Sequence, residues 1–541
     1  MNSNRLRLAL FLAASALGLS ILGCSFIQAE SALPPTSTTL RVIQTTPVPT
    51  FSRQLQPVAS ALPESTEAAS QIDCVSTAGQ PATTHTVYAD VDYPTRSLQV
   101  RQDVRYINRG SESLPEIVMN VEPNRVGGAF TLEALEFGSG VAVPAYELTG
   151  RRLVIELGES LEPGCSLELR LRYKLFVPPI GDGVSALSGY FGYTPRQFNL
   201  GHWLATVALR GGGTWITHEV VAIGEQLVSD IADWDVTLNV SGAPEGLMIA
   251  APGSLEQDDE ATWHFTHTAA REFALSMSDQ FNLTEMEASN GVMVEMYAYA
   301  DAVVRTEGGE VDGAAHALEA AARSIAMYSD LFGAYPYDRF IVVQGDFPDG
   351  MEFSDLVFVS GDWFRSYVGS PASYLTIITI HEVSHQWWYA RVGSDQATTP
   401  WLDEALATYS ELVFFEEYYP ELKDWWWQTR VNTFVPNDYA GATVDSSVYR
   451  FASIREYINA VYLRGARMLE MLRRDLGTDD FFDWLRRYAE AGTGRVVTPD
   501  LFWSLLTPEQ LQRTYNTRAA YLSTTVVEVA QPESTEISDS N

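Results

Sequence analysis

Hydrophobic and polar residues alternate along much of the chain between residues 81 and 285. HTVYADVDY (85–93), SLELRLRYKL (166–175) and WDVTLNVSG (234–242) have an apolar residue at every second position and are followed by turn-forming residues. Side chains of a strand point alternately to its two faces, so a period of two predicts strands with one buried face. The succession of such segments predicts an N-terminal antiparallel β domain over residues 81–285.

The pattern changes after residue 286, where long helical segments dominate and VMVEMYAYA, RFIVVQGDF and DLVFVSG remain strand-like. Residues 314–333 predict a helix that ends at a glycine, and residues 400–419 predict one that begins at Pro400. Between them, residues 371–393 predict a helix with Pro371 near its start and Gly393 past its end. We therefore expect a second, mainly helical α+β domain over residues 286–515.

The two ends of the chain differ from the body in composition. Residues 24–80 are rich in Pro, Ser, Thr and Ala, and residues 516–541 are polar and acidic. Such segments bury too little apolar surface to fold alone, so we expect a tether and a disordered acidic tail.

The first 23 residues have the organisation of an export signal. Arg5 and Arg7 precede an apolar run that is short for a membrane span, and the run ends at Cys24 in the order Ile-Leu-Gly-Cys. This ending resembles the lipobox of bacterial lipoproteins, which implies lipidation of Cys24 and attachment to the outer face of the cytoplasmic membrane or a place in the periplasm. The alternative is an uncleaved signal anchor, and both interpretations export the body. Cys74 and Cys165 then remain as an even pair, which permits a disulfide.

Charge excludes one class of partner. The 541 residues include 69 acidic and 35 basic side chains, for a formal charge of −34. Nucleic-acid binding needs a basic surface, so we expect no nucleic-acid partner. The acidic balance is typical of a soluble, self-repelling surface and leaves the fold and the oligomeric state open.

Candidate chemistry is concentrated in HEVSHQWW, residues 381–388. Positions i and i+4 of a helix share one face, so His381 and His385 can bind one metal ion, with Glu382 beside them as a base. The alternative is an ordinary helix with solvated histidines. A catalytic zinc needs a third protein ligand, and Glu404 follows His385 after 18 residues, on the next predicted helix.

Glu411 lies seven residues after Glu404, which places both on one helix face. It can accept the free ring N–H of a histidine ligand, or it can be a solvated surface acid.

These motifs together resemble the M1 family of zinc aminopeptidases, a branch of the gluzincins. The resemblance rests on HExxH, 18 residues and Glu, on Gly350-Met351-Glu352 upstream, and on Tyr462 in a Tyr-x-x-Gly helix before a Leu-Gly turn. The upstream motif departs from the family's pattern, because Asp349 replaces a glycine and Phe353 replaces an asparagine. The resemblance spans roughly residues 85–510 and implies a thermolysin-like fold for residues 286–515.

The same resemblance implies one Zn²⁺ per chain on His381, His385 and Glu404, and peptides with a free N-terminus as substrates. Glu382 would act as general base and then acid, and the Tyr462 hydroxyl would stabilise the oxyanion; without the resemblance Tyr462 would be interpreted as a core-edge aromatic. Glu352 would bind the α-amino group.

Two other functions remain open from sequence alone. A thermolysin-like zinc endopeptidase shares HExxH and the distal glutamate, and it would be indifferent to N-terminal acetylation. A non-catalytic, exported binding lipoprotein would bind zinc without turnover. The family's second amine-binding residue, contributed by the β domain, is not identifiable from the sequence.

Overall fold

A computed structural model describes residues 72–74, 79–181, 189–259 and 261–523. The predicted signal peptide, Cys24, most of the tether and residues 524–541 lie outside the described residues. No helix among the residues described is long and apolar enough to cross a membrane.

The first part of the described chain is built from strands, as the alternating pattern predicts. The burial of β2 alternates residue by residue, which confirms that one face of the strand packs inward. In chain order, the strands are β1 (Ile72–Asp73), β2 (Thr83–Asp92), β3 (Ser97–Ile107), β4 (Leu114–Asn120), β5 (Phe130–Phe137), β6 (Ala145–Thr149), β7 (Arg152–Leu161), β8 (Ser166–Phe176), β9 (Phe191–Tyr193), β10 (Phe198–Leu200), β11 (Thr206–Val207), β12 (Arg210–Gly211), β13 (Thr214–Trp215), β14 (Ala232–Ser241), β15 (Met248–Ala250), β16 (Ser254–Asp259), β17 (Thr262–Ala270) and β18 (Leu275–Ser278).

The largest sheet has the strand order β1-β8-β3-β2-β14-β17-β16, and β5 also pairs with β8. The strand pairs of this sheet are antiparallel, as expected, except that β14 pairs with β2 in parallel. A parallel pair needs a long crossover connection, and the chain between Asp92 and Ala232 supplies it. This half also contains two four-stranded sheets, β15-β18-β10-β9 and β11-β4-β7-β6, and the two-stranded sheet β12-β13.

A disulfide joins Cys74 to Cys165, the pair of cysteines that remains when Cys24 is set aside. Beside it, Ile72 and Asp73 pair with Leu167 and Ser166 of β8. The predicted tether boundary at residue 80 is therefore too late, because pairing to β8 and a covalent bond hold a segment whose composition alone does not predict a fold.

The second part combines one mixed sheet with helices. Its sheet has the order β19-β20-β23-β25-β24, in which β20, β23 and β25 are parallel and the two edge strands are antiparallel. The strands are β19 (Asn282–Glu287), β20 (Met293–Ala298), β21 (Val303–Thr306), β22 (Gly309–Asp312), β23 (Arg339–Gly345), β24 (Gly350–Phe353), β25 (Leu356–Ser360), β26 (Val392–Ser394) and β27 (Arg495–Val497). The helices are α1 (Gly313–Phe332), α2 (Gly361–Arg365), α3 (Tyr374–His385), α4 (Trp401–Tyr418), α5 (Lys423–Trp426), α6 (Ile454–Tyr457), α7 (Arg464–Leu476), α8 (Thr478–Gly492), α9 (Pro499–Ser504), α10 (Pro508–Arg513) and α11 (Tyr515–Tyr521).

The three predicted long helices are confirmed, with one difference at the end of α3. The Ser373 side chain caps α3 by accepting the N–H of Thr376. Wider helical turns over Gln386–Arg391 follow the helix, so Gly393 lies in β26 and does not end α3. A Cβ on Gly393 would lie 2.5 Å from the Arg271 guanidinium carbon, which is why this position is a glycine.

Arg271 fixes the β domain against the helical half. Its guanidinium is fully buried and donates to the carbonyls of Ser229, Tyr389 and Arg495 at 2.7 to 2.9 Å. The neighbouring Glu272 accepts the Tyr389 hydroxyl at 2.5 Å. This junction holds the segment around Ser229 against the helical half.

The predicted start of the tail at residue 516 is too early. Helix α11 continues to Tyr521, and Arg518 and Leu522 are 1% and 4% exposed. Ser523 then donates its N–H and hydroxyl to Asp445. The polar composition of this segment did not indicate a helix, because the contacts that hold it are made with residues far away in the chain.

Gly465 allows α7 to lie against α4. A Cβ added to Gly465 would fall 2.4 Å from the Cβ of Ala405. We expect Gly465→Ala to lower the free energy of unfolding by about 1–3 kcal/mol, the usual cost of overpacking. Thermal or denaturant unfolding checks this. Gly308→Ala is the control, because its nearest contact would be 3.8 Å away. Equal stability of both variants would contradict a close helix contact at Gly465.

Candidate active site

Helices α3 and α4 bring together the three predicted metal ligands. Ligand atoms of His381, His385 and Glu404 all lie within 4.8 Å of one another. The Glu404 Oε2 atom is 3.3 Å from Nε2 of His381 and 3.7 Å from Nε2 of His385. The i, i+4 spacing on α3 and the return of the chain through α4 account for this placement.

Each histidine is oriented by a carboxylate on its other ring nitrogen. Glu411 Oε1 lies 2.8 Å from Nδ1 of His381, which places Glu411 where the sequence predicted it. Glu411 in turn accepts hydrogen bonds from Arg430 and Trp426. An acid held in this way fixes the ring and directs Nε2 towards Glu404.

Sequence reasoning missed the equivalent partner of His385. Asp403 Oδ1 lies 2.5 Å from Nδ1 of His385, and Gln396 donates to the other oxygen of Asp403 at 2.8 Å. The sequence did contain one indication of this role, because Asp403 is an acidic residue directly before the predicted third ligand, Glu404. Consecutive residues on a helix point about 100° apart, which made a shared site difficult to foresee.

The electrostatics of the cluster favour a bound cation. Burial lowers the pKa of His381, but hydrogen bonds with Glu404 and Glu411 outweigh burial and raise it to about 10. The pKa of His385 is also raised, because Asp403 and Glu404 outweigh burial. The carboxylates thus stabilise the positively charged form of both imidazoles, and they would stabilise a divalent cation bound there in the same way.

The donor set fits zinc. Two imidazole Nε2 atoms and one carboxylate are a three-ligand set that leaves a zinc ion one open position. Both Nδ1 atoms are engaged by carboxylates, so the Nε2 atoms are the ones available to the metal.

Glu382 lies beside the cluster and has a free oxygen. The side chain is 5% exposed, and its Oε2 atom has no hydrogen-bond partner among the described residues. Burial raises its pKa to about 7, although His381 and His385 oppose that rise. A Cβ on Gly350 would fall 2.2 Å from Glu382 Oε1, so a glycine at this position gives the carboxylate its space. A buried carboxylate with a pKa near neutrality suits proton transfer.

Glu352 also has an unpartnered oxygen at the site. It is 6% exposed, and Oε1 has no hydrogen-bond partner within the described part of the chain. Ligand atoms of Glu352, Glu382 and His385 lie within 4.8 Å of one another. Burial raises the pKa of Glu352 well above its usual value, and the nearby charges of Glu225 and Glu382 add to the rise.

Glu352 lies on the short strand β24, which is separate from the strand β25 formed by the DLVFVSG segment. The edge strand β24 pairs with β25 through a tight turn at Ser354 and Asp355. Asp355 has φ of 66°, the left-handed conformation that lets the chain reverse there.

The neighbours of Glu352 point into the β domain. Met351 is 2% exposed and belongs to the β-domain core, so its side chain packs in the interior. Phe353 packs against Tyr190 and His202 with ring centroids 5.9 and 5.0 Å apart. An aromatic residue in place of the family's asparagine therefore strengthens the contact between the two halves.

Tyr462 lies over the metal-binding cluster. Its ring stacks on His381 with centroids 6.0 Å apart and planes 5° apart. Burial raises the Tyr462 pKa well above its usual value, and the charge of Glu404 and a hydrogen bond to it raise it further. Tyr457, which sequence reasoning missed, lies beside Tyr462 with 5.4 Å between the two ring centroids. The Tyr462 hydroxyl therefore remains protonated and able to donate.

The β domain contributes one further carboxylate, Glu225. Burial raises its pKa well above its ordinary value, as do the charges of Asp403 and Glu404. Glu225 is also the largest charge effect on Glu352. It lies in the irregular segment between β13 and β14, where no periodic pattern marks a functional residue. Gly224, with φ of 62°, lets this segment pass close to Tyr457.

Comparison with known proteins finds a family match within the helical half. Residues 316–519 match the profile of the Peptidase family M1 domain. Endoplasmic reticulum aminopeptidase 1 of Mus musculus is 31% identical over 235 residues, which are 41% of this chain and 24% of that protein. Endoplasmic reticulum aminopeptidase 2 of Bos taurus is 26% identical over 286 residues, which are 50% of this chain and 29% of that protein. The chain thus spans about a quarter of the length of these curated relatives.

Solved structures show the same fold over most of the chain. An M1 zinc metallopeptidase from Deinococcus radiodurans matches with a TM-score of 0.58 and 20% identity, covering 82% of this chain and 94% of that one. A mutant of that metallopeptidase bound to a Tyr-Ser-Ala substrate matches with a TM-score of 0.57 and 19% identity, covering 82% and 94%. The predicted order of a β domain followed by a thermolysin-like, mainly helical domain is confirmed.

Proposed function

We propose that this chain, whose residues 316–519 match the Peptidase family M1 domain, is a zinc-dependent aminopeptidase that removes N-terminal residues from peptides. One observation carries the proposal. Two buried carboxylates, Glu352 and Glu382, each present an unpartnered oxygen beside a three-ligand cluster. An exopeptidase requires a general base and an amine-binding group next to its metal site, whereas a non-catalytic binding protein would need neither.

One Zn²⁺ per chain, held by His381, His385 and Glu404, would polarise the scissile carbonyl and acidify the attacking water. Glu382 takes the proton from that water and returns it to the departing nitrogen, for which a pKa of about 7 is well placed. The hydroxyl of Tyr462 donates to the oxyanion as it forms.

Glu352 and Glu225 supply the selectivity for a free N-terminus. A protonated α-amino group between two carboxylates gains charge-assisted hydrogen bonds and relieves their mutual repulsion. The pKa values of both carboxyl groups are raised, chiefly by burial and then by neighbouring acids. A bound cation would lower both pKa values again. We assign Glu225 as the amine contact from the β domain.

The test is a panel of fluorogenic aminoacyl amides, each paired with its N-acetylated form, with and without a zinc chelator. Cleavage of free-amine substrates alone, abolished by chelation and restored by zinc, is the expected result. Cleavage of acetylated substrates would favour the endopeptidase alternative. Zinc bound without cleavage of either form would favour a binding lipoprotein.

Glu352→Gln removes one charge from the amine site. We expect kcat/KM for aminoacyl amides to fall about tenfold to hundredfold, the worth of a charge-assisted hydrogen bond. Glu470→Gln is the control, because Glu470 is a buried glutamate bonded to Tyr409 and Arg474 outside the site. An inhibitor without an amine should bind the Glu352→Gln variant as tightly as the wild type. Weaker binding of that inhibitor would contradict a specific role for Glu352 at the amine.

We also propose that the body is exported and anchored to a membrane through a lipid on Cys24. The disulfide between Cys74 and Cys165 supports export, since such bonds persist in oxidising compartments. The lipobox-like ending at Cys24 supports the anchor.

A further inference from the structure

Asp349 holds an acidic side chain at the end of β24 that adjoins Glu382. Its φ of 62° is in the left-handed region, which favours glycine and admits aspartate and asparagine at modest cost. Its carbonyl accepts the N–H of Ser360 at 2.8 Å, which fixes the backbone there. The M1 pattern that this chain resembles has a glycine at this position, so the carboxylate is a departure from that pattern.

The Asp349 carboxylate is available to a ligand. The side chain is exposed, and the described residues offer it no hydrogen bond or ion pair. Partial removal from water raises the pKa of Asp349, while Arg430 and Arg455 act against the rise. Arg430 uses its guanidinium on Glu411 at 2.8 and 3.0 Å, and Arg455 lies 4.7 Å above the ring of Phe434. Neither arginine neutralises Asp349 by direct contact.

Two points in the site fix the direction of a bound peptide. Under the proposed function, Glu352 receives the amino terminus and Glu382 marks the bond that is cut. Glu382 lies against Gly350, so the path from Glu352 to Gly350 runs from the N-terminus of the substrate to its scissile bond. The peptide therefore runs antiparallel to β24, which is an edge strand to which an extended segment can add. Continued by one residue, this path leads to Asp349.

We propose that Asp349 selects peptides whose second residue is cationic, lysine or arginine. This inference rests on the proposed aminopeptidase function. Opposite charges in a partly hydrated cleft attract weakly, and like charges repel by a similar amount. The contrast between a cationic and an acidic second residue combines both effects, for an expected ratio of about five- to tenfold in kcat/KM. Salt should reduce the ratio, because an exposed pair is screened.

The test uses amidated tripeptides that share their first and third residues and carry lysine, glutamine or glutamate in second position. Release of the first residue gives kcat/KM for each peptide. We expect the order lysine, glutamine, glutamate in the wild type, and a lysine-to-glutamate ratio below about threefold in Asp349→Asn. Asparagine keeps the shape and tolerates the left-handed backbone. Asp483→Asn, which removes an exposed charge from α8, should retain the wild-type ratio.

Several outcomes would overturn the inference. Equal rates for the lysine and glutamate peptides in the wild type would do so, as would a ratio that persists in Asp349→Asn. Asp349→Gly, which suits the same φ, gives the ratio if the asparagine variant does not fold. If neither variant folds, loss of the wild-type ratio in 1 M salt decides for or against a charge effect. Failure to cleave any free-amine substrate would instead reject the proposed function.

Discussion

Glu382→Gln is expected to lower kcat for free-amine substrates by about 10³-fold. Glutamine matches glutamate in size, so it fits against Gly350, but its amide cannot accept a proton from water. The substitution removes the carboxylate, whose unpartnered Oε2 atom is free to accept that proton. Because the three ligands are untouched, zinc content and the unfolding midpoint should remain those of the wild type. Steady-state kinetics, metal analysis and thermal unfolding measure these quantities on one preparation.

Glu319→Gln is the matched control for this experiment, since Glu319 is a half-buried glutamate on α1 that pairs with Arg323 outside the site, and its loss changes the net charge equally. It should have wild-type kcat. A fall of less than about tenfold in Glu382→Gln would remove Glu382 from proton transfer. Loss of zinc in that variant would show that Glu382 supports the metal site, and the kinetic result would then say nothing of a base.

Tyr462→Phe is expected to lower kcat by about 10²-fold and to change KM by less than about threefold. The change removes one hydroxyl and retains the ring that stacks on His381. A donor that acts on charge developing in the transition state affects turnover, while ground-state binding of the substrate is unaffected.

Tyr146→Phe removes a hydroxyl from an exposed tyrosine on β6 and serves as the control. The comparison should be repeated across pH, because burial keeps the Tyr462 hydroxyl protonated and its loss should lower kcat equally throughout the neutral range. A rise in KM that accounts for the whole loss of kcat/KM would instead assign Tyr462 to substrate binding.

Much of the fold follows from local patterns. The period of two in β2 and the i, i+4 spacing in α3 concern neighbours in the chain, and the structure confirms both elements. The parallel pairing of β2 with β14 joins segments more than a hundred residues apart, and no local pattern encodes it. The helix α11 was missed for a similar reason, since distant contacts stabilise it.

The candidate site divides in the same way. The three predicted ligands and Glu382 belong to one motif of fixed spacing, so they could be identified as candidates from the sequence alone. Asp403 was missed although it adjoins a ligand, because a helix turns consecutive side chains to different faces. Glu225 belongs to irregular chain, and only the folded structure brings it to Glu352. The left-handed backbone of Asp349 is likewise invisible in a sequence, since aspartate adopts many conformations.

The buried guanidinium of Arg271 limits how the two halves of this protein can be recombined with those of other proteins. It is satisfied by carbonyls from three segments that lie far apart in the chain, so it finds its partners only when both halves are present. A chimera that joined this β half to a foreign helical half would keep the Ser229 carbonyl but would have to replace the acceptors at Tyr389 and Arg495. A desolvated cation left short of acceptors would cost several kcal/mol. The segments that meet at Arg271 therefore have to be exchanged together whenever the two halves are recombined.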